Sequence, residues 1–436
     1  MRDRFRDSES NKMTNHVKTN SIIGQYGYYL YLVMLSMLSF VATDMYLPAF
    51  KSIESSLGVS ASEVAMSLTT FLAGLAIGQL LYGDIVRKYG KRLALMFGLG
   101  LFMMSTLAIS MLDSMLLINI CRVFQALGVC SASVIWQALV IEKHSPIESQ
   151  KMLSNLMPLV ALSPAIAPIL GALVLEAWGW RSIFVCLAVT AIILMVMTVY
   201  FVDKDRPNKL AINTSTNQQA TNTQTSFTTM LVNRFYLGNV LIFSACSASF
   251  FSYLTLWPIV MDKFGYDAGA IAWSFVPQTV MFIVGGYSGK LLISKWGSET
   301  ALKIELGLFF TTSLLLGLFT LVFEMTSIYP VLVVFALQAA ANGAIYPITV
   351  NQALQTFKGN ATKAAGLQNF IQVSCAFFAS SLMATFALYG EVAMGWGIIG
   401  SSCLVVVAIY WRMTGKGLAK ACQNKHDMVE NSAKCA

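Results

Sequence analysis

The sequence predicts an all-α membrane protein with twelve transmembrane helices arranged in two pseudo-symmetric six-helix bundles. Of its 436 residues, 56% are hydrophobic and only 11% are charged, and the mean hydropathy is +0.65. Soluble globular domains carry about 25% charged residues. A water-exposed surface cannot be built from this composition, so most of the chain is expected to lie in a lipid bilayer.

Twelve apolar runs support this prediction. Each is long enough to cross about 30 Å of hydrocarbon as a tilted helix. In chain order the runs are 26–47, 62–82, 93–112, 115–140, 152–176, 181–202, 236–259, 269–289, 301–323, 327–350, 364–388 and 392–412.

A polar gap after the sixth run divides the chain into two halves. It is rich in Thr and Asn and lacks apolar periodicity, which is typical of a flexible linker. Two such halves are expected to hold a substrate site between them near the midplane of the membrane. The predicted organisation is an N-terminal tail, a first bundle, a linker, a second bundle and a C-terminal tail, at 1–25, 26–202, 203–235, 236–412 and 413–436.

The basic residues predict the orientation. With the N-terminus inside, only Lys51, Arg181 and Lys263 of the 29 Lys and Arg residues fall in outer loops, and Arg122 falls within a span. The positive-inside rule therefore places both termini in the cytoplasm of a multi-pass protein. The first 25 residues lack the apolar core of a signal peptide, so we expect the first helix to be retained.

Several classes of function are disfavoured. The net charge of +8 is explained by this loop asymmetry, so no nucleic-acid partner is expected. The eight cysteines show no CxxC spacing, and no metal or other cofactor is predicted. No nucleotide-binding loop of the GxxxxGK(S/T) type is present, so ATP is not expected to drive the protein directly. No His–acid cluster or nucleophile motif lies in the spans, which argues against a membrane-embedded enzyme. A receptor or scaffold is the other alternative, although the short loops offer little surface.

Two charged residues stand out in the first half. Asp44 ends the first span and Arg122 lies in the fourth. A charge at the bilayer centre costs at least about 2.5–3.5 kcal/mol, so few remain without a role. Asp44 either hydrates a helix end or binds a proton or cationic solute. Arg122 either ties helices together or makes proton release from a nearby acid depend on conformation.

Other polar residues are candidates for binding or for helix packing. In the fourth span, Trp136 and Gln137 could hold a flat heteroaromatic solute or pack between helices. The fifth span has three prolines, including Pro164 and Pro168, and is expected to bend. The second half offers uncharged amides and rings, which suit a neutral aromatic solute; roughly half of them should bind other helices instead. The candidates there are Tyr253, Asn342, Tyr346, Gln368 and Gln372.

These motifs resemble the major facilitator superfamily, and within it the drug:proton antiporter group of Bcr/CflA type. The resemblance covers about residues 28–412. It rests on ATDMYLPAF (42–50) in helix 1, RVFQALG (122–128) in helix 4 and LSPAIAP (162–168) in helix 5. It implies roles in proton coupling and conformational change for Asp44, Arg122, Pro164, Pro168 and Gly171.

Other stretches look closer to one branch, the purine nucleoside transporters of PunC type. They include VIWQALV (134–140), ACSASFF (245–251) and ANGAIYP (341–347). One loop departs from the superfamily pattern: Arg87 stands where an aspartate is usual, four places after Gly83, while an acid occurs early as Asp84. Either Asp84 replaces that aspartate in latching the loop, or the latch is weaker here.

The resemblance implies a proton-coupled secondary transporter, monomeric, in the cytoplasmic (inner) membrane. Its partners would be protons, lipid and a small solute moved by alternating access. Purine nucleosides are the expected solutes, and broad drug:proton efflux is the alternative.

Overall fold

The structure is a computed structural model, and every regular element in the residues it describes is helical. The predicted N-terminal tail up to residue 21 and most of the predicted linker, residues 204–225, lie outside the described residues. The described ranges are 22–59, 61–203, 226–266, 268–323 and 325–434.

The α-helices follow one another through short connections. In chain order they are α1 (Ile22–Asp44), α2 (Phe50–Leu57), α3 (Ala61–Tyr89), α4 (Lys91–Met111), α5 (Met115–Lys143), α6 (Pro146–Ala161), α7 (Ser163–Trp178), α8 (Trp180–Phe201), α9 (Phe227–Val232), α10 (Arg234–Lys263), α11 (Ala268–Ser274), α12 (Val276–Gly317), α13 (Tyr329–Thr356), α14 (Ala361–Thr385) and α15 (Gly390–Lys434).

The predicted membrane fold is confirmed. In the described part of the chain, nine helices are long and apolar enough to cross a membrane. The longest, Val276–Val322, covers most of the predicted eighth span (269–289) and all but the last residue of the ninth (301–323); the start of the eighth span forms α11. The predicted fifth span corresponds to α6 and α7 together, and the predicted eleventh span to α14.

One backbone conformation recurs at the same place in each half. Gly297 divides α12 with φ 80° and ψ 162°. Gly90 separates α3 from α4 with φ 82° and ψ 162°. Only glycine adopts this region without strain. The equal angles between the second and third predicted spans of each half fit a repeated architecture.

Prolines explain the division of the predicted fifth span. Pro164 has no N–H to donate to the carbonyl of Val160, so the helical hydrogen bonding is interrupted there. The chain turns at Leu162, whose N–H donates to Leu159 O at 3.1 Å, and α7 begins at Ser163. Pro158 lies inside α6 and Pro168 inside α7.

The chain groups into two compact units. Unit 1 takes its described residues from Met1–Gly78, Ile85–Trp136 and Ser163–Lys209. Unit 2 takes them from Gln79–Asp84, Gln137–Leu162 and Leu210–Ala436.

Helix α6, which the sequence analysis places in the first bundle, packs in unit 2 on α12 and α13. Lys290 Nζ donates to Asn155 Oδ1 at 2.9 Å. A Cβ added to Gly286 would lie 2.5 Å from Pro158 Cγ, so the proline ring packs directly on the glycine.

Close backbone approaches hold helices together in both units. In unit 1, a Cβ on Gly171 would lie 1.8 Å from Met45 O, so α7 touches the backbone just after α1. In unit 2, a Cβ on Gly285 would lie 1.9 Å from Ala340 O, where α12 crosses α13. Small residues at such crossings are how membrane helices gain van der Waals contact.

We predict that Gly171→Ala lowers the melting temperature of the purified protein, because the added methyl group cannot fit against Met45 O. Overpacking of this kind costs about 1–3 kcal/mol. Gly100→Ala is the matched control, since nothing lies within 4 Å of its added Cβ. Equal melting temperatures for the two variants in the same detergent would contradict the prediction.

Candidate functional site

Arg122 is a fully buried cation in unit 1, with 0% of its surface exposed. Its Nη1 donates to Gln125 Oε1 at 2.6 Å and to Ala42 O at 3.3 Å. Gln125 Nε2 in turn donates to Thr106 Oγ1 at 2.8 Å. The guanidinium therefore joins α5, which carries it, to α1 and, through Gln125, to α4.

Aromatic rings surround the same guanidinium. Its central carbon lies 4.0 Å from the ring centroid of Tyr46, 4.6 Å from that of Phe71 and 5.9 Å from that of Phe184. Ring faces attract a cation most strongly where water is excluded. Nε and Nη2 have no hydrogen-bond partner among the described residues. The site thus stabilises the charge largely by cation–π contact and retains unused donors.

Asp44 is the last residue of α1 and is half-buried. Within the described residues, no hydrogen bond or ion pair of its carboxylate is found. Arg122 contacts the carbonyl of Ala42, two residues earlier, and forms no ion pair with Asp44. Asp44 and the Arg122 guanidinium therefore both lie at the C-terminal end of α1, but they do not form an ion pair.

The predicted ring and amide of α5 are both largely buried. Trp136 is 4% exposed and is the last α5 residue in unit 1. Gln137 is 5% exposed, begins the unit 2 part of α5, and its Oε1 has no partner among the described residues. Both side chains are buried enough to pack between helices, and Gln137 Oε1 can accept a hydrogen bond from a solute.

In unit 2 the structure brings two predicted residues together through a third. Tyr346 Oη lies 3.1 Å from Ser247 Oγ, and Gln372 Nε2 donates to the same Ser247 oxygen at 3.1 Å. The rings of Phe243 and Phe282 approach the Tyr346 ring edge to face, at centroid distances of 4.7 and 5.6 Å. This cluster, the Ser247 cluster, joins α10, α12, α13 and α14.

Two more predicted amides lie one turn from this cluster. Asn342 precedes Tyr346 by four residues on α13, and Gln368 precedes Gln372 by four on α14. They are 2% and 0% exposed. Asn342 Oδ1 and both amide atoms of Gln368 have no partner among the described residues. An unsatisfied buried polar group costs about 1–3 kcal/mol, so these groups call for a ligand or water.

Tyr253 lies apart from these residues in an apolar cluster. Its ring stacks on the rings of Phe335 and Trp257, with distances between ring centroids of 3.4 and 4.9 Å, and the residue is fully buried. Trp257 Nε1 donates to Ser274 Oγ at 2.8 Å. The contacts of Tyr253 are those of a core residue, although its hydroxyl has no partner among the described residues.

The residues predicted for conformational change are also placed. Asp84 Oδ1 lies 3.3 Å from Lys363 Nζ, at the start of α14. The same ammonium lies 4.4 Å from the ring centroid of Phe227, in α9. Arg87 is exposed near the end of α3. In this structure it is the early acid, Asp84, that pairs with a cation, and both Asp84 and Lys363 belong to unit 2.

Some polar residues escaped the sequence analysis. Ser247 carries no charge and is hard to distinguish from the other small residues of α10. Glu305, at 5% exposure in the second segment of α12, was detectable as an acid inside an apolar run. Arg412 was detectable too, as a cation at the end of the last apolar run. In the structure its Nη2 donates to Glu299 Oε1 at 2.6 Å and to Gln352 Oε1 at 2.8 Å.

No group of three or more potential metal ligands occurs among the residues that the structure describes. In the described residues, both units place amides and hydroxyls beside aromatic rings.

We predict that Gln125→Leu destabilises the protein, because it removes the shortest hydrogen bond of a buried cation. Hydrogen bonds to charged groups contribute about 1.5–3 kcal/mol. Phe124→Leu is the control, since Phe124 is exposed on the same turn. Melting curves in detergent measure the effect, and a Gln125→Leu protein as stable as the control would show that the bond contributes little.

Solved structures of membrane transporters share this fold. A bacterial homologue of the iron transporter ferroportin, in an outward-facing state, superposes with a TM-score of 0.70 at 16% identity, covering 90% of this chain and 99% of that one. The proton:xylose symporter XylE superposes with a TM-score of 0.69 at 15% identity, covering 89% and 95%. At such identities the likeness concerns the fold.

Relatives in sequence are named for drug resistance. A bicyclomycin resistance protein homologue from Haemophilus influenzae is 24% identical over 390 residues, covering 89% of this chain and 96% of the relative. A chloramphenicol resistance protein from Pseudomonas aeruginosa is 27% identical over 295 residues, covering 66% and 67%. The model of the Major Facilitator Superfamily matches residues 32–380, and the chain belongs to that family of membrane transporters.

Proposed function

We propose that the protein is a proton-coupled antiporter that exports small organic, drug-like solutes across the inner membrane of a bacterium. One observation carries the proposal: in a transporter fold, the carboxylate of Asp44 has no partner among the described residues and lies next to the helix turn that binds the buried Arg122 cation. The names of the bacterial relatives support drug-like solutes.

Asp44 and Arg122 are proposed to act as one coupling site. A proton on Asp44 makes it neutral and lowers the cost of its burial. Release of that proton leaves an anion whose attraction to the guanidinium depends on where Arg122 lies. Conformations that bring the two closer favour the ionised acid. Proton binding on one side of the membrane and release on the other then drive the solute step in alternating access.

The solute is proposed to bind the uncharged groups. The proposed binding residues in unit 2 combine unsatisfied or half-exposed polar atoms with nearby rings; they are Asn342, Tyr346, Gln368 and Gln372. Tyr253 is a poorer candidate, because its ring is packed in an apolar cluster. Gln137 would add an acceptor in unit 2, and Trp136 is proposed as a binding ring of unit 1. The pairing of Asp84 with Lys363 supports its proposed use as a latch, with Pro164, Pro168 and Gly171 shaping α7.

Purine nucleosides remain a second candidate. The uncharged amides and rings of unit 2 suit a purine as well as a neutral drug. Neither relative described above is named for nucleosides, so the export of drug-like solutes is the better supported proposal. A solute panel separates the two.

The purified protein in proteoliposomes, assayed for chloramphenicol, ethidium and inosine with and without a pH gradient, tests the proposal. Gradient-driven movement of chloramphenicol or ethidium is expected. Movement of inosine alone would favour nucleoside transport. No gradient-driven movement of any probe would contradict proton-coupled transport of these solutes.

We predict that Asp44→Asn abolishes accumulation driven by the pH gradient while solute exchange without a gradient is partly retained, because the amide cannot bind and release a proton. Asp113→Asn is the matched control. Asp113 lies in the connection after α4, is exposed, and pairs with Arg181 of α8. Equal gradient dependence in Asp44→Asn and wild type would refute the coupling role.

A further inference from the structure

We infer that Ser247 orients Gln372, and that the Ser247 cluster thereby selects solutes that donate a hydrogen bond from a group beside a flat ring. The inference rests on the proposed function and specifies the solute chemistry of that site.

Ser247 is the shared point of the cluster. Its side chain is 3% exposed, and its hydroxyl lies 3.1 Å from both Tyr346 Oη and Gln372 Nε2. A hydroxyl has one proton and two lone pairs. One lone pair of the Ser247 oxygen accepts the hydrogen bond from Gln372 Nε2. The hydroxyl proton or the second lone pair forms the hydrogen bond with Tyr346 Oη. A single oxygen thus fixes two side chains from two other helices.

The bond to Ser247 fixes which end of the Gln372 amide is presented. Nε2 is directed at Ser247, so Oε1 is left as an acceptor; among the described residues it has no hydrogen-bond partner. Gln372 lies near the middle of α14 and is half-buried. An amide exposed to hydrocarbon at this depth would go unsatisfied, so its exposed part is expected to face a wet interior.

The amides on either side add acceptors. Asn342 Oδ1 and Gln368 Oε1 have no partner among the described residues, and both residues are more than nine-tenths buried. Residues 364, 368 and 372 follow one face of α14. That face meets α10, because Tyr236 Oη donates to Ala364 O at 2.6 Å and Gln372 donates to Ser247.

A donor on the solute satisfies these oxygens, whereas a solute with acceptors alone leaves them unpaired. Each unpaired oxygen costs about 1–3 kcal/mol, which is enough to set a preference. Phe243 and Phe282 provide ring surface beside Tyr346. The combination favours a donor close to an aromatic plane.

The experiment uses two matched pairs of probes in proteoliposomes. Chloramphenicol, with hydroxyl donors beside its ring, is compared with its di-O-methyl ether. Inosine is compared with 1-methylinosine, which lacks the ring N–H. Wild type is expected to show a KM at least about fivefold lower for the donor-bearing member of the pair that it transports, the equivalent of one hydrogen bond.

Ser247→Ala is expected to bring the two KM values of a pair within about twofold, because Gln372 is then free to rotate. Ser247→Thr keeps the hydroxyl and should keep the preference. Ser244→Ala is the matched control on the same helix: its hydroxyl donates only to Val240 O, at 2.8 Å. It should leave the ratio of KM values unchanged, which separates orientation of Gln372 from general loosening of α10.

An unchanged ratio in Ser247→Ala would overturn the inference, as would a wild type that shows no preference within either pair. If Ser247→Ala fails to fold, Gln372→Leu provides the second test: it removes the acceptor and should lose the preference. Failure of the proposed function gives a different result: the wild-type protein would show no gradient-driven movement of any probe.

Discussion

The burial of the Arg122 guanidinium is the constraint from which the organisation of unit 1 follows. Arginine stays charged in proteins, so the protein must stabilise the cation where it lies. Gln125, the carbonyl of Ala42 and three aromatic rings do so, with no acid paired to the cation in the described part of the chain. An ion pair in the same place would neutralise both partners and hold them together. Solvation by neutral groups leaves Arg122 unpaired with Asp44 in this structure, which the proposed coupling role of Asp44 requires.

Unit 2 handles polar groups in two ways. Around Arg412 they are paired: Nε donates to Asn239 Oδ1 at 3.0 Å, and Nη2 reaches Glu299 and Gln352. Around the Ser247 cluster the pairing is incomplete. Since an unsatisfied buried amide is costly, a fully paired network fits a rigid scaffold and an incompletely paired one fits a site that a solute completes.

Sequence pattern was sufficient for the fold because helices that cross hydrocarbon must be long and apolar. It also singled out Asp44 and Arg122 as candidates, since charge in an apolar run is conspicuous. It could not separate Tyr253 from Tyr346. Both are tyrosines in polar-aromatic stretches, yet one stacks on Phe335 and the other bonds to Ser247. Nor could it place residues 137–162 with α12 and α13, because such packing depends on distant residues such as Gly286.

In the proposed antiporter, the two units divide the chemistry. Asp44 of unit 1 carries the proton in this proposal, and Arg122 biases its release. Unit 2 has uncharged acceptors and rings in the Ser247 cluster. A proton held among those neutral groups would need an ionisable side chain there, and Tyr346 and Ser247 are poor acids. A neutral solute bound beside Arg122 would have to compete with rings already in contact with the cation. If the proton is held by Asp44 and the solute by the Ser247 cluster, as proposed, no side chain is shared between the two, and the proposed coupling passes through a change in conformation.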